Sequence, residues 1–375
     1  MPRSAALLCA FLPLAASVAA GARAPAPLSR EIVLASADAG AWPYLAFPAL
    51  LDLGDEVLVS YKRARSHAQD AGAGLDLARL DPFRGRVTAP PDTIARAEGR
   101  IMQMGEWVRF GDGGIANYID AQAPGRSTTR TGLLVVRSAD GGRSFGPPER
   151  VGVIDGVEYG YAFDHITEGA TTWMLVMTFA NLPGGRSVHP QRPHAGPVDV
   201  IRSDDHGRTW RLVRGLTREF GDVPINESAF IRHGDGFLVV TRGYDNRARL
   251  HLTDAAFRVL RQADLTAAHA FITSHVGRPR LFARDGRVYL LGRNVSAAGR
   301  PMQLALFRID VATLTAASHL VLDNADEARV TDGYYAAPWF RGEGADARLH
   351  VVTYRGDAGR PPDLLHLVFR WGDLQ

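Results

Sequence analysis

The chain has 375 residues, 46% of them apolar, a formal net charge of +3 at pH 7 and one cysteine. That length holds one large or two ordinary domains with ample material for a core. The slight charge, spread without a dense basic cluster, excludes a nucleic-acid-binding protein of the usual kind.

In chain order, the first 24 residues stand apart. Arg3 is followed by an apolar stretch from Ala5 to Ala20, then Ala22-Arg23-Ala24 before Pro25. This is the layout of a secretory signal peptide, too short in its apolar part to span a bilayer. Cys9 lies within it behind Leu8, where lipid attachment wants a small residue. Residues 25–375 are therefore expected to form one exported domain, periplasmic or secreted, monomeric and without membrane insertion. Such a domain has no cysteine and must rest on its core alone. The Arg- and Ala-rich, Lys-poor composition points to a GC-rich bacterial genome.

Helical periodicity is nearly absent from the rest. Short apolar or alternating runs recur between Gly, Asp and Asn: EVLVSYK, GLLVVRS, WMLVMTF, GFLVVTR, RVYLLGR and LHVVTYR. That is the β pattern. A strand ending in a polar turn returns at Asp81, Asp140, Asp205, Asp254, Asp310 and Asp373. The interval is about 50 to 65 residues, the scale of a four-stranded propeller blade with its loops. Six units imply an all-β, six-bladed β-propeller. The run Glu31 to Ala35 is expected to add a strand to the last blade and close the ring.

Two of the six turns share a fuller pattern, Ser-x-Asp-x-Gly-x-Ser/Thr-aromatic, at Ser138 to Phe145 and Ser203 to Trp210. In such a turn the Asp bonds backbone N–H groups ahead of it, the Gly takes positive φ, and the aromatic packs beneath. The pattern resembles the Asp box of the sialidase-type propellers (the BNR repeat), a folding device on the outer edge of a blade.

That resemblance implies a site. The sialidase family opens with Arg-Ile-Pro; here the stretch reads Ala46-Phe47-Pro48, so the first carboxylate-binding arginine is missing. The following strand and loop offer Arg63 or Arg65 for substrate binding and Asp70 as general acid, with His67 as an alternative acid in the same loop. Glu227 and Arg242 are similar to the family's base and second arginine, and Arg300 to its third. Tyr334 and Tyr335 share the place of the nucleophilic Tyr, with Tyr334 preferred from its distance to Arg300. Arg278 is a candidate to replace the arginine lost at Ala46.

The chemistry implied is coherent. A carboxylate nucleophile would be repelled by a sugar that carries its own carboxylate at the reacting carbon, whereas a phenol would not be. With a pKa near 10 the phenol needs an adjacent base, here Glu227. Tyr159, Tyr161, Asp164 and His165 read as an ordinary turn cluster, and Glu106 and Asn117-Tyr118 are equally undecided. The histidines show no metal-ligand spacing, so no cofactor or catalytic metal is expected, although the reading leaves room for a structural Ca²⁺.

The leading expectation is a secreted exo-acting glycoside hydrolase that takes a terminal acidic, sialic-acid-like sugar from a glycan or oligosaccharide. One alternative is a neutral-sugar hydrolase, as for arabinan, with Glu106, Glu158 or Asp70 facing Glu227 as a second carboxylate. Another is a uronate lyase using His67 or His275 with Tyr334. The third is a non-catalytic glycan-binding propeller.

Overall fold

A computed structural model describes residues 22–23, 25–68, 70–124, 129–178, 196–295, 301–357 and 359–375. The expected signal segment, apart from the backbone of Ala22 and Arg23, and the candidate Arg300 lie outside these residues. The described residues form six small sheets around one axis, a six-bladed β-propeller, antiparallel except where Ala22–Arg23 runs parallel to Thr315–Asp323. No helix among them is long and apolar enough to cross a membrane.

Each blade begins with its innermost strand and works outward. The inner strands of the first five are Tyr44–Asp52, Ile101–Arg109, Val157–Glu168, Ile225–His233 and Gly277–Arg284. In the sixth blade the inner strand is broken into Asp332–Gly333 and Ala337–Arg341. Its outer strand is Ser29–Leu34, which pairs antiparallel with Arg360–Arg370 and puts Ile32 opposite Leu365. The ring is thus closed by the strand expected to close it.

The faces between blades hold the core. Leu238, Val240 and Leu250 of the fourth blade pack on Leu290, Ala305 and Phe307 of the fifth. Tyr289, Leu291 and Leu306 of the fifth pack on Leu349, Val351 and Leu367 of the sixth. Each fully buried side chain of this size contributes roughly 1.5–3 kcal/mol, so alternation along the strands is what sets blade against blade.

The outer turns use the hydrogen bonds their sequences suggest. Asp205 accepts from the backbone N–H of Arg208 (3.1 Å) and Thr209 (2.9 Å), and the Ser203 hydroxyl accepts from Gly207 N–H at 2.8 Å. Asp140 accepts from Ser144 N–H at 2.9 Å, and Ser138 from Gly142 N–H at 2.8 Å. Gly142 and Gly207 take φ of 89° and 74°. Trp210 meets Tyr118, and Phe145 meets Trp107. The shorter turns at Asp81 and Asp254 keep the Asp-to-backbone bonds alone.

One irregularity recurs on the inner strands and decides what reaches the axis. In the first blade Phe47 and Pro48 together oppose Tyr61; in the fourth, Asn226 and Glu227 oppose Arg242; in the fifth, Arg278 and Pro279 oppose Gly292. The second and third blades slip between Met102 and Met104 and between Tyr159 and Tyr161. In the sixth, the break itself carries Tyr334, Tyr335 and Ala336. A bulge kinks its strand and re-aims one side chain. Phe47 and Arg278 take positive φ (57° and 44°), uncommon for residues with a side chain.

Candidate active site

Glu227 is the centre of the polar cluster that these bulges gather. Its side chain is 6% exposed, a costly place for a carboxylate without partners. It has three. Arg242, opposite it in the bulge, donates to Oε2; the Arg278 backbone N–H donates to the same oxygen at 3.1 Å; and the Tyr161 hydroxyl donates to Oε1 at 3.1 Å. The Tyr335 hydroxyl stands beside them, accepting from the same Arg242 Nη1 at 2.8 Å. Burial alone would raise the Glu227 pKa, but Arg242, Arg278 and Arg293 outweigh it and hold the group down to about 2. Burial raises the Tyr335 phenol, against the pull of Arg242.

Arg293 completes this half. It ends the second strand of the fifth blade, Arg287–Asn294, and its guanidinium stacks on the Tyr335 ring at 4.7 Å. Among the described residues it has no carboxylate within ion-pair distance. His275 lies near Arg242 and Arg293; burial first, then these two cations, push its pKa down to about 3, so it is neutral.

The other half of the axial cluster is an ion-pair network. Arg278 donates to Glu106 at 2.7 Å and to Tyr161 at 2.9 Å, and Arg280 donates to both oxygens of Glu106 at 3.0 and 2.8 Å. Burial would raise the Glu106 pKa; Arg280, His165 and Arg278 bring it to about 2. Asp164, by contrast, is raised by its burial to about 6. Glu106, Asp164 and His165 offer ligand atoms within 4.8 Å of one another. Two guanidinium groups already neutralise Glu106, so the set lacks the surplus negative charge that a divalent cation requires.

At the mouth, Asp332 accepts from the Tyr44 and Tyr354 hydroxyls and contacts His67 Nδ1 at 2.8 Å. Lys62 is fully buried beneath, its Nζ donating to the His67 carbonyl (2.7 Å) and to Gln103 Oε1 (2.8 Å). Burial lowers its pKa to about 8 in spite of the surrounding carboxylates. Lys62 pairs directly with Ala46, where the resembling family carries its first arginine. A cation therefore still stands at this point, one strand over.

The candidate residues fall into two groups. Glu227, Arg242, Arg278 and Tyr335 meet at the axis, with His67 at its mouth. Arg278 is buried and bonded to Glu106 and Tyr161. Tyr334 points elsewhere: its hydroxyl bonds Asp323 at 2.8 Å, on a rim groove of about 960 Å³ between the last two blades. The preference for Tyr334 over Tyr335 is therefore reversed by position. Arg63 faces Asp76 and the Ala39 carbonyl, and Arg65 lies 60% exposed over Trp42. Asp70 is 4% exposed, and both its oxygens are taken by Arg65. Glu158 pairs with Arg150.

Sequence reasoning missed Arg293, Asp332 and Lys62 and left Glu106 and Tyr161 undecided. Arg293 had a signal, because GFLVVTR and RVYLLGR end alike and both arginines close a second strand.

No family model matches this chain, and no curated protein matches it by sequence. Similar folds occur among solved structures. A protein of unknown function from Dyadobacter fermentans superposes with a TM-score of 0.67 at 17% identity, over 91% of this chain and 98% of its own. The intramolecular trans-sialidase of Ruminococcus gnavus gives 0.63 at 11% identity, over 93% and 99%. Trypanosoma rangeli sialidase gives 0.56 at 11% identity, over 89% of this chain but only 55% of that one. At these identities the likeness shows the sialidase-like propeller fold and nothing finer.

Proposed function

We propose that this protein is a sialidase-like, exo-acting glycoside hydrolase, exported by its bacterium, that releases a terminal acidic sugar from a glycan. Tyr335 is the nucleophile and Glu227 its base, while Arg242 and Arg293 receive the sugar carboxylate. The observation that carries this reading is the Tyr335 hydroxyl bonded to the same Arg242 Nη1 that holds Glu227, under an Arg293 that has no carboxylate partner among the described residues.

The reaction follows from that contact. As the Tyr335 oxygen bonds to the anomeric carbon, its proton passes to Glu227, which is ionised and so in the accepting form. Planar guanidinium groups grip a carboxylate through paired N–H donors and offset charge on the reacting sugar. Water then attacks the anomeric carbon, the tyrosyl C–O bond breaks, Tyr335 recovers its proton from Glu227, and two displacements return the original anomer. Of the second carboxylates the two-carboxylate alternative could use, Glu106 is held at about 2 by its arginines, Glu158 pairs with Arg150, and Arg65 takes both oxygens of Asp70.

Hydrolysis of 4-nitrophenyl α-ketosides of sialic acid and of a related keto-deoxy sugar tests this, with neutral aryl glycosides as controls. Wild type is expected to cleave an acidic substrate, and Glu227→Gln and Tyr335→Phe to lose at least about 10³-fold in kcat. Equal turnover by wild type and Glu227→Gln would remove Glu227 from the mechanism.

A further inference from the structure

The mouth of the axial cluster carries an imidazole that the scheme above does not use. His67 is 57% exposed, yet its Nδ1 is held at 2.8 Å from both Asp332 Oδ2 and the Tyr44 hydroxyl. Asp332 is itself fixed by the Tyr44 and Tyr354 hydroxyls, and although burial would raise its pKa, His67 and these phenols lower it, so it is anionic. The His67 carbonyl is pinned by the buried Lys62 and by Gln103. The Phe47 ring, turned inward by its bulge, touches His67 at 5.2 Å and Tyr335 at 5.6 Å between centroids. An idle surface histidine needs none of these supports.

We propose that His67 is the proton donor and acceptor of this site, in the role the family resemblance gave to Asp70; the proposal rests on the glycosidase reading. Asp332 takes the Nδ1–H, which leaves Nε2 to carry the exchangeable proton toward solvent. Asp70 is unsuited, because the backbone N–H and the guanidinium of Arg65 occupy both its oxygens. In the first half-reaction the glycosidic C–O bond breaks, its electron pair stays on the leaving oxygen, and that oxygen takes the proton from Nε2. Tyr335 bonds to carbon and its own proton goes to Glu227. In the second, neutral Nε2 takes a proton from the attacking water, the carbon–tyrosyl bond breaks, and Tyr335 recovers its proton from Glu227. The groups facing the imidazole are Asp332 and Tyr44, with Tyr354 behind Asp332, Lys62 beneath the loop, and the Arg65–Asp70 pair beside it.

The test compares leaving groups in the full-length protein. His67→Gln is expected to lose about 10²–10⁴-fold in kcat, the range of general acid catalysis, on a methyl α-ketoside that needs protonation. On a 4-nitrophenyl α-ketoside, which leaves without help, the first step is expected to lose less than about 10-fold. Asp332→Asn, which replaces the anionic partner of Nδ1 by a neutral amide, is expected to lose kcat on the methyl ketoside more than on the 4-nitrophenyl ketoside at unchanged KM. Equal loss of His67→Gln on both substrates, no loss on either, or no difference between the two substrates in Asp332→Asn overturns the proposal and leaves Tyr335 and Glu227 standing. No turnover of either ketoside by wild type overturns the glycosidase reading and this inference with it.

Discussion

Tyr334 and Tyr335 are neighbours in sequence whose side chains leave the backbone in opposite directions, one to Asp323 and the other to Arg242. Tyr334→Phe should therefore keep kcat near wild type and cost about 1 kcal/mol of stability, the net worth of one hydrogen bond, as read from a urea midpoint. Arg293→Ala should raise KM for an acidic substrate by roughly 10- to 150-fold, corresponding to a charge-assisted bond of about 1.5–3 kcal/mol. It should leave any neutral glycoside unaffected; equal effects on both would deny Arg293 a carboxylate partner. At this scale the sequence was partly legible. Glu227 and Arg242 stand at the bulge and the end of an unmistakable hairpin, so their meeting could be expected. The tyrosines could not be told apart, because the break between Gly333 and Ala337 ends the alternation from which a facing is counted. Asp332 and Lys62 were invisible for another reason: their partners, His67 and Gln103, come from other strands and a loop with no pattern of its own.

The strand is the unit that aims these groups. Glu106 follows Gly105, where an added Cβ would meet Asn117 Oδ1 at 2.0 Å. Gly105→Ala should thus push the inner strand of the second blade off its neighbour and cost about 1–3 kcal/mol, as overpacking does. The damage should include activity, since Glu106 anchors Arg278, whose backbone N–H reaches Glu227. Asp205→Ala makes the useful contrast. It removes the acceptor of four backbone and side-chain donors in an outer turn, so Tm should fall while kcat of the remaining folded protein stays unchanged. These outer turns were readable because each is local, complete within eight residues of sequence. The inner bulges were not, since a bulge is defined by what stands on the adjacent strand.

Over the whole molecule, acid should be the weak side. His251 and His350 are pushed by burial to about 3, and His319 and His366 to about 4, from an ordinary 6.5. A histidine depressed in the folded state stabilises above its unfolded pKa and loses that contribution as pH falls below it. Glu106 and Glu227, held at about 2 against 4.5, add their loss from pH 4.5 downward. Tm should therefore decline steadily from pH 7 to pH 4, by at least about 10 °C on the usual conversion; a flat profile over that range would contradict the buried, neutral state of these imidazoles.

The pairing of Ile32 with Leu365 has a temporal meaning as well. The strand that latches the ring precedes the blades in the chain, and the hairpin it must find follows five of them. Until they pair, an open arc exposes two unpaired sheet margins, each a ready template for the wrong partner. Loss of either of these paired strands should therefore open the ring and cost far more than the few missing residues would suggest.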